Sequence, residues 1–461
     1  MGTFLNRDHD PICALATVWG QSAIAVLRLS GTKCGLKVKE RFSPALNEQT
    51  FEKRFVRVCR FNDQNGVLLD QVLLIHFPGP HSFTGEDVLE IQCHGSPIII
   101  DAILEILIAS GFRLAEAGEF TRRAFLNGKM DLLQAESIQQ LIRANSLRSV
   151  REHLRTLDGF VSQGMNEIKS RLMNILGQIE TSIDFPEDDV DLSSKEQLTT
   201  EMVHVSERMG QWLRESQLGQ RNDRIPHCVI MGRPNVGKST LFNALLGTQR
   251  SIVSNIPGTT RDYIQEQIIV GHVQVCLTDT AGIRSDPEEV EALGIQKSIE
   301  LCKKADLVLF IADATVGWCN EDMELFDQTD GRLRLILMNK IDKVSTNDKN
   351  LPEKMIRETV LHISSFSHED IEIVKNNIMT TLKLEGGDQE MFITFNQRQN
   401  ACVKEALSCM VEAEGMLVHG AEMEIIAIKV REAMEQLAQM TGENISEHLL
   451  DHIFSQFCIG K

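Results

Sequence analysis

A chain of 461 residues, 42% apolar and 24% charged, is long for one hydrophobic core and implies roughly two to four globular domains. Its formal charge of −18 excludes a surface that grips nucleic acid over its whole extent, because phosphate neutralisation needs clustered Lys and Arg; a local basic patch stays open. No apolar run reaches the roughly 18 residues that span a bilayer, Met1–Asp8 has neither a signal core nor a presequence, and Asn6 breaks a myristoylation pattern, so a cytoplasmic protein with no membrane anchor is expected.

Within residues 1–126, Ala23–Leu29 reads as a strand closed by Ser30-Gly31 and Gln71–Phe77 as a strand ended by Pro78-Gly79-Pro80. Asp87–Gln92 alternates, and Pro97–Ala109 is an apolar helix stopped before Gly111. Together they predict a small α/β or α+β unit; the fold class expected for it is α+β. Arg28 and Glu90 interrupt strands, so each faces a cleft or, more simply, a solvated surface. His94 beside Gly95 reads as a catalytic base or, without a partner in sequence, as a core or turn histidine.

Apolar residues at Leu154, Leu157, Val161, Met165, Ile168, Leu172, Ile175, Ile179 and Ile183 predict one helix of about eight turns, roughly 45 Å long, stopped near Pro186. Leu198, Met202, Val205, Met209 and Trp212 mark a second. Glu187-Asp188-Asp189 is either a divalent-ion site or a solvated charge cluster. Arg122, Arg123, Arg143, Arg148 and Arg151 form a basic patch or a solvated helix face. Ala401–Leu417 and Glu424–Met440 return to helical spacing, with Gly442 as a stop. The segment 222–383 is therefore expected as an insertion into a helical domain built from 127–221 and 384–461. The eleven cysteines have no C-x-x-C pair and read as small buried hydrophobes in a reducing compartment. Near the end, Cys458 is either a reactive thiol beside Lys461 or an inert residue of a docked tail.

The insertion carries the chemistry. Gly232–Ser239 fits G-x-x-x-x-G-K-[ST], entered by the strand Cys228–Met231 and left by the helix beginning at Thr240. Backbone amides of such a loop cradle a di- or triphosphate, Lys238 reaches the β- and γ-phosphates, and Ser239 holds Mg²⁺. Asn235, Val236, Gly237, Lys238, Ser239 and Thr240 are the nucleotide-contacting span. Thr259-Thr260 follows, with Thr260 as a second Mg²⁺ hydroxyl, and then Asp279-Thr280-Ala281-Gly282 after the strand Val273–Leu277. Asp279 serves the Mg²⁺ shell and the Gly282 amide approaches the γ-phosphate. Asn339-Lys340-x-Asp342 ends the strand Leu333–Met338; the Asp342 carboxylate accepts from the guanine N1 and exocyclic amine, a donor pair adenine lacks. Ser364-Ser365 completes the base pocket, with Ser365-Phe366 where Ala-Lys is common, and a backbone amide there reaches the guanine carbonyl. In order and spacing these elements predict a Ras-like α/β P-loop GTPase domain. Ile283 stands where many GTPases orient water with glutamine, so water and charge must be managed otherwise. Arg261, Arg284 and Glu291 are near in sequence.

Beyond these motifs, Ala23–Gly31, Phe77–Asp87, Gly118–Asn127, Ile183–Pro186 and Phe457–Lys461, in this joint order, resemble the MnmE (TrmE) family of tRNA-modification GTPases over essentially the full length. The resemblance implies an N-terminal folate-binding and dimerising domain over 1–126, with Arg28, Glu90, Lys129 and Lys461 as folate contacts. It implies GTP, Mg²⁺, K⁺ and 5,10-methylenetetrahydrofolate as cofactors, with 5-formyltetrahydrofolate as an analogue. It implies a homodimer and a flavoprotein partner, MnmG (GidA), in a heterotetramer that modifies C5 of the tRNA wobble uridine. K⁺ would sit where an arginine finger places its charge, held by Asn235, Ser254, Ile256 and Thr259, and Glu291 would orient water, acting with Lys238 and Gly282. Thr17–Ala23 departs from the family's glycine-rich loop, and Ser254 from its threonine. The alternative, a regulatory switch in ribosome assembly, shares the phosphate and guanine motifs, but this chain has no appended basic RNA-binding module. A third reading, a folate-binding transferase with a decorative nucleotide site, requires function to survive loss of Lys238.

Overall fold

The computed structural model describes residues 10–184, 192–222, 224–247, 264–279, 299–344, 358–384 and 392–461. The chain divides into two compact units, one made of Met1–Arg143, His153–Ser216 and Phe395–Lys461, the other of Ala144–Glu152 and Gln217–Thr394. No helix among the described residues is long and apolar enough to cross a membrane.

The first unit opens with seven strands: β1 (Ile12–Leu15), β2 (Ser22–Ser30), β3 (Phe42–Ser43), β4 (Phe55–Asn62), β5 (Leu68–Phe77), β6 (Val88–Gly95) and β7 (Arg113–Leu114). They lie in the order β3-β4-β5-β6-β2-β1-β7, antiparallel except for the β1–β7 pair. Strand periodicity sends Ala25, Leu27 and Leu29 of β2, Leu74 of β5 and Ile91 of β6 into one core. The helix Pro97–Ala109 adds Ile100, Ile103 and Leu107 to that core, and Pro97 at its first turn costs no hydrogen bond. Residues of the other parity include Arg28 and Glu90, which face each other across the β2–β6 register.

The helical part of this unit corrects one expectation. The single helix expected over Leu154–Ile183 is two, Leu147–Leu157 and Phe160–Asp184. Gly159 sits between them at φ 91, a left-handed conformation that ends a helix. The longer piece spans roughly 37 Å at ~1.5 Å per residue. It buries Val161, Met165, Ile168, Leu172, Ile175 and Ile179 and packs on the helix Met423–Thr441, which also packs on Gln397–Val418. The helix Leu192–Asn222 buries the predicted stripe from Leu198 to Trp212, and Trp212 meets Phe395 edge-on at 6.2 Å. A short helix, Glu447–Ser455, docks on Glu119–Leu126 through Phe454 and Phe125.

The second unit is built on β8 (His227–Met231), β9 (Ile264–Val270), β10 (Val273–Asp279), β11 (Leu307–Asp313), β12 (Leu333–Asn339) and β13 (Thr359–His362), in the order β13-β12-β11-β8-β10-β9. Only β9 runs antiparallel. All seven residues of β11 are buried, as a central parallel strand covered on both faces requires. Leu307, Leu309 and Ile311 share a core with Leu241 and Leu245 of the helix Lys238–Leu246 and with Val374 and Ile378 of His368–Thr381. Val308 and Phe310 point the other way, onto Phe326 of the helix Asn320–Asp327. In such a doubly wound sheet the ligand crevice lies outside the carboxyl ends of the strands. The segment 144–152 belongs to this unit: Ser146 bridges Val273, Gln274 N donates to Asn145 O at 2.8 Å, and the Glu152 carboxylate accepts Thr394 Oγ1 at 2.8 Å.

Candidate functional site

The phosphate loop leaves β8 and enters the helix Lys238–Leu246 through Gly237, whose φ is 106. A Cβ on Gly237 would collide with Asn339 Nδ2, so the glycine is required both for its backbone conformation and for the close approach of the guanine motif. Asn235 also lies in the left-handed region, at φ 63, which Asn tolerates better than other side chains. Lys238 Nζ is held over the loop by the carbonyls of Gly232 and Arg233 at 2.8 and 2.7 Å. Burial pushes its ammonium below the ordinary lysine value, with the charge of Asp279 opposing. Ser239 Oγ donates to Asp279 Oδ2 at 2.9 Å. A hydroxyl and a carboxylate so placed are the hard oxygen donors that suit Mg²⁺.

Three long-range contacts fix this loop. Asn339 Nδ2 donates to Val236 O at 2.9 Å, and Lys340 Nζ donates to Asn235 O at 2.7 Å and to Asp313 Oδ2 at 2.6 Å. Arg233 Nε reaches Asp322 Oδ1 at 2.7 Å; Asp322 is fully buried and also accepts the Cys319 amide at 3.2 Å. Burial raises the Asp313 carboxyl, but hydrogen bonds from Lys340 and Thr315 outweigh it and hold the group below the usual carboxylate range. Asp313, Asp322 and Arg233 went unread in sequence, since no local pattern joins Arg233 to Asp322, 89 positions on, or Asp313 to Lys340, 27 positions on.

On the base side, Ser365 N and Oγ both donate to Asn339 Oδ1, at 3.0 and 2.8 Å. The Ser365 amide is thus engaged with Asn339. Asp342 is exposed in the short 3₁₀ turn Ile341–Lys343, directly after Lys340 at φ 66. Ser364 N is tied to Asp370 Oδ2 at 2.8 Å. Thr240 follows Ser239 in the first turn of the helix. Ser254, Ile256, Thr259, Thr260, Thr280, Ala281, Gly282 and Glu291 lie outside the described residues, as do Arg261, Ile283, Arg284 and Glu187–Asp189.

In the first unit, Arg28 and Glu90 pair with each other, Nε to Oε1 at 2.9 Å. Arg28 also donates to Gly460 O at 3.1 Å and lies 6.0 Å from the Phe83 ring and 5.9 Å from that of Phe120. The C-terminal turn therefore brings Lys461 to Arg28: burial and then the Arg28 charge depress the Lys461 ammonium, with Cys458 opposing. Lys129 Nζ donates to Pro80 O at 2.9 Å, on the loop that carries Phe83. Cys458 is exposed, whereas nine cysteines are buried. His94 has a partner that sequence did not reveal: Asp70, nearly buried, takes its Nδ1 at 2.7 Å and its amide at 2.8 Å. Of the arginines that read as a basic patch or a solvated helix face, Arg123 is 2% exposed and bound to Glu86 and Glu119, Arg122 faces Asp451 at 3.5 Å and Arg143 donates to Gln456 O at 3.3 Å. In the second unit, Arg148 is tied to Glu152 and Arg151 is exposed.

Family profiles match both the sheet-bearing start and the remainder: "GTP-binding protein TrmE N-terminus" over residues 11–129 and "MnmE helical domain" over 132–458. The curated "tRNA modification GTPase MnmE" of Fervidobacterium nodosum is 38% identical over 99% of this chain and 98% of its own length. That of Desulforamulus reducens is 36% identical over 98% and 99%. Among solved structures, the G domain of the Thermotoga maritima FeoB iron transporter is 26% identical over 34% of this chain and 99% of that one, with a TM-score of 0.27. With full-length identity of this order and both profiles in register, the chain belongs to the family of tRNA modification GTPases MnmE, which are GTP hydrolases.

Proposed function

We propose that this chain is a K⁺-activated GTP hydrolase that, with the flavoprotein MnmG (GidA), adds an aminomethyl or carboxymethylaminomethyl group to C5 of the tRNA wobble uridine. A tetrahydrofolate one-carbon unit supplies the carbon. The observation that carries the GTPase part is the single polar framework joining the phosphate loop to the guanine motif through Asn339–Val236 and Lys340–Asn235. On this reading the domains are 1–126 for folate binding and dimerisation, 127–221 with 384–461 for the helical domain, and 222–383 for GTP. The protein works in the cytoplasm as a homodimer that joins its partner in a heterotetramer.

In the GTP site, Lys238 and the loop amides bind the β- and γ-phosphates, and Asp342 selects guanine. Ser239 and Thr260, with Asp279 nearby, hold Mg²⁺, which supplies charge neutralisation. The Asn235 amide is exposed and has no hydrogen-bond partner among the described residues, so its oxygen is open to a cation. With Ser254, Ile256 and Thr259 it holds K⁺, a fixed charge that offsets what develops on the phosphates without an arginine. Glu291 orients water, and the Gly282 amide steadies the γ-phosphate.

In the first unit, the cationic pair Arg28–Lys461 beside Phe83 suits an anionic ligand with an aromatic ring, and methylenetetrahydrofolate is one; Glu90 and Lys129 complete the set. Mass spectrometry of tRNA wobble nucleosides with and without the gene tests the reading. Loss of the C5 modification is expected on deletion, and an unchanged nucleoside profile would refute it. GTP turnover in K⁺ against Na⁺ at equal ionic strength tests the cation, and equal rates would remove it.

A further inference from the structure

The first unit carries a cationic strand that the mechanism above does not use. Residues 33–60 hold eight Lys/Arg and three Asp/Glu, a formal +5 in a chain of −18. The densest part is Lys53, Arg54, Arg57 and Arg60 on and just before β4, all exposed. Among the described residues none of the four has a carboxylate partner; Arg54 donates to His81 O and lies over Phe77 at 5.2 Å. This contrasts with Arg122, Arg123 and Arg148, which are consumed by acidic neighbours.

Strand β4 is also half open. Its neighbour β3 pairs only with Phe61 and Arg60, so no described strand covers the outer edge of Phe55–Cys59. The facing strand β5 presents Gln71 opposite Arg60 and Leu73 opposite Val58, with no acid along that stretch. Charged residues guard many sheet edges against aggregation, but one or two suffice for that. Four cations without a carboxylate partner, with Arg57 and Arg60 on opposite faces of the strand, give this end of a strongly acidic chain a local field of opposite sign to the rest of the molecule. A folded polyanion whose phosphates follow one another along a backbone matches it: arginine forks bind phosphate oxygens in two-pronged fashion, and the exposed main chain adds donors.

We propose that the exposed end of β4 and the residues leading into it, through Lys53, Arg54, Arg57 and Arg60, form a docking surface for the tRNA sugar–phosphate backbone; this rests on the tRNA-modification reading above. The contact positions the RNA and carries no base readout.

The test is binding of deacylated bulk tRNA to the full-length protein across a salt series, for wild type and for the double variant Arg57→Glu/Arg60→Glu. Charge reversal keeps the edge charged, so edge protection is preserved and only the sign of the field changes. Losing two phosphate contacts should weaken tRNA binding about tenfold or more and reduce the slope of log K against log salt by roughly 1.5 to 2. GTP hydrolysis without tRNA should stay unchanged. On the wild-type protein, tRNA should shield Lys53 from an amine-reactive probe, a readout independent of any variant. Equal affinity and slope in the two proteins would overturn the surface, as would an unshielded Lys53. An affinity loss that tracks loss of the dimer by size-exclusion chromatography would also overturn it, making β4 a protein contact. If deletion abolishes the nucleoside while these results are negative, the docking surface fails and the modification reading stands. If the nucleoside persists on deletion, the reading itself fails.

Discussion

Asn235 is the residue at which backbone and side-chain contributions to the phosphate loop can be separated. It occupies φ 63 with its carbonyl tied to Lys340 and its amide side chain exposed. Replacing it by alanine removes the amide and puts in the left-handed conformation a residue that tolerates it less well than asparagine, at about 1 kcal/mol, or roughly a fivefold loss if it falls on nucleotide binding. Replacing it by glycine removes the same amide without that backbone cost. If the side-chain oxygen holds the activating cation, both variants should hydrolyse GTP in K⁺ at the rate the wild type shows in Na⁺. A stationary charge at that position is worth as much as an arginine finger, about 10³ to 10⁵ in rate. Alanine alone should additionally raise the GTP dissociation constant, by about fivefold. Steady-state turnover in the two salts at matched ionic strength, with nucleotide affinity measured by fluorescent-analogue titration, gives both quantities. Retained K⁺ stimulation in Asn235→Gly would refute the assignment and leave the asparagine with a purely conformational role.

Asn339→Ala strands Val236 O and both Ser365 donors in a buried setting, so the GTP-binding unit should lose about 2–4 kcal/mol, seen as an earlier urea transition; an unmoved midpoint would sink that view. Asp322→Ala leaves Arg233 without its buried partner and should raise the KM for GTP about tenfold, the usual cost of breaking such a pair being lessened because Arg233 is partly exposed. With Asp322 kept, Arg233→Lys should raise that KM as well, since a point charge does not reproduce the guanidinium contact. Burial raises the Glu119 carboxyl, but hydrogen bonds from Arg113 and the Glu116 amide, with the charge of Arg123, bring it below its ordinary value of 4.5. A carboxylate depressed in the folded state stabilises above its unfolded pKa and loses that contribution as pH falls through the folded one. Wild-type stability should therefore drop below about pH 4.5, and Glu119→Gln should flatten that acid limb while being less stable near neutrality; parallel melting curves for the two proteins between about pH 5 and pH 3 would contradict it.

What could be read in sequence was what local periodicity and fixed-spacing motifs encode. The helix Pro97–Ala109 and the stripe from Leu198 to Trp212 were legible because each buries one face at a regular interval. The phosphate loop and Asn339-Lys340-x-Asp342 were legible because their chemistry demands residues at set offsets. The break at Gly159 was not, since apolar spacing runs through it and a lone glycine in a helical pattern does not declare its φ. Nor was the pairing of Arg28 with Glu90, or of His94 with Asp70: taken singly each residue reads as surface or turn, and the partners are 62 and 24 positions away. The arginines at 122, 123 and 148 looked like a patch because sequence shows the cations and hides their acids. On and before β4, among the described residues, no carboxylate pairs with Lys53, Arg54, Arg57 or Arg60, which is why that strand retains its charge.

The phosphate loop shows what the motif itself leaves unstated. Its carbonyls at Gly232, Arg233, Asn235 and Val236 are each taken by a donor, from Lys238, Lys340 or Asn339. Carbonyl oxygens repel an anion, so tying them back to donors is as necessary to a phosphate site as the forward-facing amides. Two of the three donors come from the guanine motif, and Lys340 is itself fixed by Asp313 at the end of the adjacent strand. The base-reading residues and the phosphate cradle are therefore one polar framework. A substitution at Asn339 or Lys340 reaches Val236 or Asn235 without crossing the nucleotide, so these two residues of the guanine motif also shape the geometry offered to the phosphates.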